Sequence, residues 1–168
     1  ICFKWTNQKW TFENVKKLFA GHIDAKLTDN GKDQAKKLGE RLKNVKFDAV
    51  YSSDLSRAIN TAQEVLKYHD VPHEKLEELR ERFFGDWEGL CVNDIDMKDK
   101  PANYETTPHI LNRTKQVLEK LSEKHKDQTI LIVAHGGTNR AILANFLDTK
   151  GNPVNISQGN TCVNILNV

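Results

Sequence analysis

"TILIVAHGGTNRAILANFL", residues 129–147, is an apolar run that stops at a histidine and two glycines and then resumes with helical spacing. A short β-branched and aliphatic run bounded by glycine reads as a buried strand, and apolar positions three and four apart behind it read as a helix. Strand, tight turn, helix is the repeating unit of a parallel α/β sheet. His135 stands at the junction, where such a sheet delivers side chains into the crevice beyond the carboxyl end of a strand.

The same unit recurs upstream. "FDAVYSS", residues 47–53, reads as a mostly buried strand, and Leu55, Ala58, Ile59, Ala62 and Val65 behind it predict a helix. "LTDNGKDQAKKLGERLKNV" places Ala35, Leu38, Leu42 and Val45 on one helical stripe with Thr28 as cap. Ile110, Leu111, Thr114, Val117, Leu118 and Leu121 form another stripe after Pro108, and "ICFKWT", residues 1–6, alternates as a further strand. The expected fold is therefore an α/β three-layer sandwich with a mostly parallel central sheet. It is read as a single domain, 1–168, in which the polar stretch 91–108 is a loop or short lid.

Composition narrows the class. Charged residues make up 29% of the 168 and hydrophobic residues 38%, an ordinary globular balance, and no apolar run approaches the roughly 18 residues of a membrane span. The 25 basic and 23 acidic residues are interspersed, which argues against a nucleic-acid partner. Cys2, Cys91 and Cys162 are far apart and lack metal-ligand spacing, so neither a disulfide framework nor a zinc site is expected, and a reducing cytoplasm fits best. The chain opens at Ile1 without Met and without the order of a signal peptide, and its start reads as trimmed or incomplete.

Three segments, "SSDLSRA", "AHGGTNRA" and "TNQKWTFEN", share the geometry of a strand end followed by polar or glycine residues and a helix start. Helix N-termini and exposed backbone N–H groups at such turns attract anions, phosphate above all. Arg57 lies one turn into its helix, where a guanidinium can hold two phosphate oxygens, and Gly136 permits close approach of a ligand to the backbone. In "LRERFFGDWEGL", residues 79–90, Glu81 is flanked by Phe83, Phe84 and Trp87, which would desolvate it and keep it protonated as a general acid. Each feature has a plain counterpart: a solvated Arg57, a capping or packing His135, and an aromatic-pinned loop with Glu81 and Glu88 in solvent.

Taken together, "AGHIDAKLTDNGKDQAKKLGERL", "FDAVYSSDLSRAINTA", "LRERFFGDWEGL" and "VAHGGTNRAIL" resemble, in order and spacing, the phosphoglycerate-mutase-like branch of the histidine phosphatase superfamily. The resemblance covers nearly the whole chain. It implies that Arg57 is the second phosphate-binding arginine, Glu81 the proton donor and His135 the second histidine, which steadies the phosphoryl group. The family's first block is Arg-His-Gly followed by x-Thr-x-x-Asn, with that histidine as nucleophile. Thr11 and Asn14 fit, and the gapless alignment then sets Asn7, Gln8 and Lys9 where Arg, His and Gly belong. Glutamine offers no ring nitrogen to attack phosphorus, so Gln8 cannot form a phosphohistidine. Three explanations stand side by side: a degenerate member that binds esters without turnover, a substitute nucleophile such as His22 or His135, or altered first residues.

The resulting expectation is a phosphomonoesterase-type pocket for a small phosphate ester, lined by Arg57, Glu81 and His135 with Asn7, Asn14, Gly21 and Gly136, and with Gln8 at the nucleophile position. The alternative is an inactive phosphometabolite-binding protein. No cofactor, metal, nucleic acid or membrane is expected, and the short 90–107 segment favours phosphatase over mutase.

Overall fold

The computed structural model describes residues 11, 16–147, 149, 156 and 158–167. Three strands form a parallel sheet in the order β2-β1-β3: β1 (Ala49–Ser53), β2 (His73–Leu76) and β3 (Ile130–Val133). Val50 pairs with His73 on one side of β1 and with Leu131 on the other. Residue alternation along β1 sends its side chains to opposite faces. Ala49 and Tyr51 pack with Leu76, Leu79, Val117, Leu121 and Ile142, whereas Val50 packs with Ala58, Ala62 and Val133.

Those two clusters define the outer layers. Helix α2 (Ser56–Leu66) covers the Val50 face, and α1 (Asp29–Leu42) packs on α2 through Leu38, Leu42 and Val65. Helices α3 (Thr107–Lys124) and α4 (Gly136–Phe146) cover the Ala49 face. The molecule is thus an α/β fold with helices on both faces of a parallel sheet. Each fully buried side chain of this kind, such as Val50, Val65, Ile110 and Leu121, contributes about 1.5–3 kcal/mol by leaving water.

Local chemistry sets the helix ends. Thr28 accepts the Gly31 N–H at 3.1 Å at the start of α1, and Thr106 does the same for His109 at the start of α3, where Pro108 occupies the first turn. Two sequence expectations shift here. Val45 is exposed because α1 ends at Leu42, so the residue lies beyond the stripe it was expected to extend. Helix α3 begins at Thr107, inside the stretch expected to be loop, because Thr106 is a competent cap. The strand expected at residues 1–6 lies outside the described residues. No helix among the described residues is long and apolar enough to cross a membrane.

Candidate functional site

Adjacent parallel strands β1 and β3 end side by side, and the helices that follow them bring Arg57 and His135 together. Arg57, 4% exposed, donates from Nη1 to the Ile23 carbonyl at 2.8 Å and from Nη2 to the Gly21 carbonyl at 2.7 Å. Its Nε–H points at Nδ1 of His135 at 3.2 Å. Nδ1 is therefore the acceptor, which places the proton of the neutral ring on Nε2. Burial pushes the His135 pKa well below the usual histidine range, and the neighbouring charges of Arg57 and Arg113, with His22, push the same way. The ring is neutral at physiological pH. Its Nε2 is buried and has no hydrogen-bond partner among the described residues.

The 17–25 segment is tied to this junction from three sides. Backbone bonds join Phe19 to Leu90 and Gly89, Asp24 Oδ1 accepts the Ser56 N–H at 2.7 Å at the head of α2, and the His22 N–H donates to Glu88 Oε1 at 2.8 Å. Gly21 sits in this corner at φ +47°, and a Cβ there would stand 1.8 Å from Glu88 Oε1. Gly21→Ala is expected to destabilise the fold by about 1–3 kcal/mol, because it combines left-handed strain with a displaced buried contact. Urea unfolding of the variant checks this.

Glu81 is not held as its neighbours in sequence suggest. The rings of Phe84 and Trp87 pack on Phe19 with centroids at 4.9 and 5.5 Å, and Phe83 lies against His22. The Glu81 carboxylate instead accepts the backbone N–H of Arg82 at 2.8 Å, Gly137 at 3.1 Å and Thr138 at 3.2 Å. It thereby caps α4, whose N-cap His135 makes no side-chain capping bond. A Cβ on Gly137 would meet Glu81 Oε1 at 2.4 Å, so the second glycine is what admits the carboxylate. His22 completes the corner, with Nε2 hydrogen-bonded to the Glu81 carbonyl at 2.9 Å.

A buried ion pair fixes the segment that carries Glu81. Arg113 of α3 donates to both oxygens of Glu105, at 2.7 and 2.9 Å, and to the carbonyls of Glu78 at 2.6 Å and Glu81 at 3.3 Å. Glu105 also accepts from the Phe83 N–H at 3.1 Å and from His109. Burial raises the Glu105 pKa, but Arg113, His109 and the Phe83 N–H outweigh it and hold the carboxyl below its ordinary value. A depressed carboxylate contributes stability above its unfolded pKa and loses it as pH falls through the folded value. Glu105→Gln is expected to lower stability at neutral pH and to flatten the loss of stability below about pH 4.3, measured by denaturation across pH.

Beyond Gly136 and Gly137 opens a cleft of about 350 Å³, walled by Glu81, Arg82, Tyr104, Thr107, Leu111 and Arg140 among others. Among the described residues, no group of three or more His, Cys, Asp or Glu is placed to hold a metal ion.

The family model for the histidine phosphatase superfamily (branch 1) matches residues 7–168. The chain belongs to this superfamily. It is 34% identical over 151 residues to an adenosylcobalamin/alpha-ribazole phosphatase of Salmonella typhimurium, covering 82% of this chain and 75% of that one. Among solved structures it is similar to YhfR of Bacillus stearothermophilus, with a TM-score of 0.78, 30% identity and coverage of 85% and 78% of the two chains. A phosphoserine phosphatase variant of Entamoeba histolytica, solved with phosphoserine, gives a TM-score of 0.78 at 26% identity over 91% and 83%.

In this histidine phosphatase fold the sequence-predicted Arg57, Glu81, His135, Gly21 and Gly136 converge on one corner at the ends of β1 and β3. Asn7, Gln8, Lys9 and Asn14 lie outside the described residues. Sequence reasoning did not single out Glu105, Arg113, Arg82 or Arg140. One signal was available: Arg113 interrupts the apolar stripe of α3 three residues after Ile110, a position that demands a buried partner for its charge.

Proposed function

We propose that the chain is a phosphomonoesterase-type protein that binds the phosphoryl group of a small phosphate ester at the Arg57–His135 corner. The observation that carries this reading is the His135 ring: neutral, buried, its Nδ1 taken by Arg57 and its Nε2–H aimed at no partner among the described residues. A phosphoryl oxygen is the acceptor that this donor and the Arg57 charge suit, and no metal is needed to neutralise the anion there. Glu81, held at the head of α4 beside the cleft by backbone N–H groups, is the residue we assign as proton donor to the leaving oxygen. Relatives named as phosphatases of alpha-ribazole and phosphoserine support small phosphorylated metabolites as the substrate class.

Gln8 favours a second reading of the same pocket. It stands where the family pattern carries its nucleophilic histidine, with Asn7 in place of an arginine, and an amide side chain supplies no nucleophile for phosphoryl transfer. On that reading the protein binds the ester and turns it over little or not at all.

Both readings require the anion site. Phosphate, sulfate or vanadate at about ten times its Kd contributes about 1.4 kcal/mol, so a rise in melting temperature of about 3–5 °C is expected by thermal unfolding. An unchanged melting temperature across millimolar concentrations would remove the site. Hydrolysis of a panel of phosphate esters then separates the phosphatase from the binding protein.

A further inference from the structure

The geometry points to Arg113 as the positioning residue of Glu81: from α3 it sets where the carboxylate stands against the head of α4. What the carboxylate does there rests on the proton-donor reading above; where it is held does not. Residues 80–84 lie between two single turns, Glu77–Leu79 and Gly85–Trp87, and belong to neither helix nor strand. Their backbone groups must therefore be satisfied by other parts of the chain. The Thr138 hydroxyl donates to the Arg80 carbonyl at 2.5 Å, His22 Nε2–H donates to the Glu81 carbonyl at 2.9 Å, and Glu105 accepts the Phe83 N–H at 3.1 Å.

Arg113 differs from these single contacts in its reach. Its Nε and Nη2 meet the two oxygens of Glu105 side by side, at 2.7 and 2.9 Å, which orients the planar group. The fork then has Nη1 left for the Glu78 carbonyl at 2.6 Å and the second Nη2 proton for the Glu81 carbonyl at 3.3 Å. Two carbonyls three residues apart are thereby fixed to one rigid side chain, and the second belongs to Glu81 itself. The side chain is mostly buried and stands on an 18-residue helix whose Ile110, Thr114 and Val117 are in the core, so its base is firm. The strip it grips delivers the Glu81 carboxylate to the N–H groups of Gly137 and Thr138 at 3.1 and 3.2 Å. Displacing a reacting group by about 1 Å costs on the order of a hundredfold in rate, so a proton donor on irregular backbone needs such a grip. A lysine would keep the charge beside Glu105, but a point donor cannot reproduce the fork that reaches both carbonyls.

Amide hydrogen exchange of the 15N-labelled chain, followed by NMR at neutral pH without phosphate, tests the assignment and requires no turnover. The Gly137 and Thr138 amides report the Glu81 contact, and Glu81→Ala sets their rates when the acceptor is gone. The Val50 amide, bonded to the Pro72 carbonyl, reports the fold as a whole. In Arg113→Lys, exchange at Gly137 and Thr138 is expected to rise about tenfold toward the Glu81→Ala rates, with a smaller rise at Val50. A rise at Gly137 and Thr138 no larger than that at Val50 would overturn the positioning role and leave Arg113 a counter-ion of Glu105. Arg113→Met combined with Glu105→Gln removes the grip without leaving a buried charge unpaired, and the same comparison decides the matter there if the lysine variant does not fold. Failure of phosphate to raise the melting temperature overturns the phosphate-site reading alone, since these rates are taken without phosphate.

Discussion

Rebuilding the first block by Asn7→Arg, Gln8→His and Lys9→Gly is expected to raise phosphate-ester hydrolysis by several orders of magnitude over the unaltered chain. A nucleophile typically accounts for that much of the rate, whereas on the proposed reading Arg57, Glu81 and His135 would supply only binding, charge stabilisation and a proton. The rebuilt chain should also form an acid-labile phosphohistidine during turnover, detectable by mass spectrometry under alkaline quench, while the unaltered chain should not. Lys9→Gly belongs in the set because the family pattern carries glycine there, the residue type that lets a ligand approach a backbone most closely. Robust hydrolysis by the unaltered chain, untouched by Gln8→Ala but abolished by His135→Ala or His22→Ala, would identify a substitute nucleophile instead.

Arg57→Ala is expected to weaken phosphate and vanadate binding by about 10–100-fold, the loss of one charge-assisted contact to a dianion. It also leaves the carbonyls of Gly21 and Ile23 and the Nδ1 of His135 without this donor in a buried corner, so a fall in stability of about 2–4 kcal/mol accompanies it. Arg57→Lys separates the two effects. It keeps the charge but cannot reach three acceptors in different directions, so binding should lie between that of the unaltered chain and Arg57→Ala. Calorimetric titration at a temperature where each variant is folded checks the order.

Most of the fold is legible because it rests on local pattern. The Thr28 cap, the stripe of Ala35, Leu38 and Leu42, the buried run before His135 and the helical spacing after it all report nearest-neighbour physics. Strand β2 is not legible for the same reason. Its sequence, His73-Glu74-Lys75-Leu76, buries only the last side chain, since among the described residues it is an edge strand whose pairing with β1 is made by backbone. Within the site, Arg57, Glu81 and His135 are visible as residue types at strand-to-helix turns. The partners of Glu81 are not, because Gly137 and Thr138 stand more than fifty residues away along the chain. The Glu105–Arg113 pair is hidden likewise: its purpose, gripping residues 78–83 through backbone atoms, exists only after the chain has folded.

Histidine side-chain nitrogen NMR reads directly whether His135 presents an Nε2–H to a phosphoryl group beside Arg57. With 15N-labelled protein near neutral pH, a His135 ring protonated at Nε2 and bare at Nδ1 is expected. Titration with inorganic phosphate should move the Nε2–H signal along a saturable, one-site curve that weakens in Arg57→Lys. A ring protonated at Nδ1, or an Nε2 signal that does not move at millimolar phosphate, would contradict this role of His135.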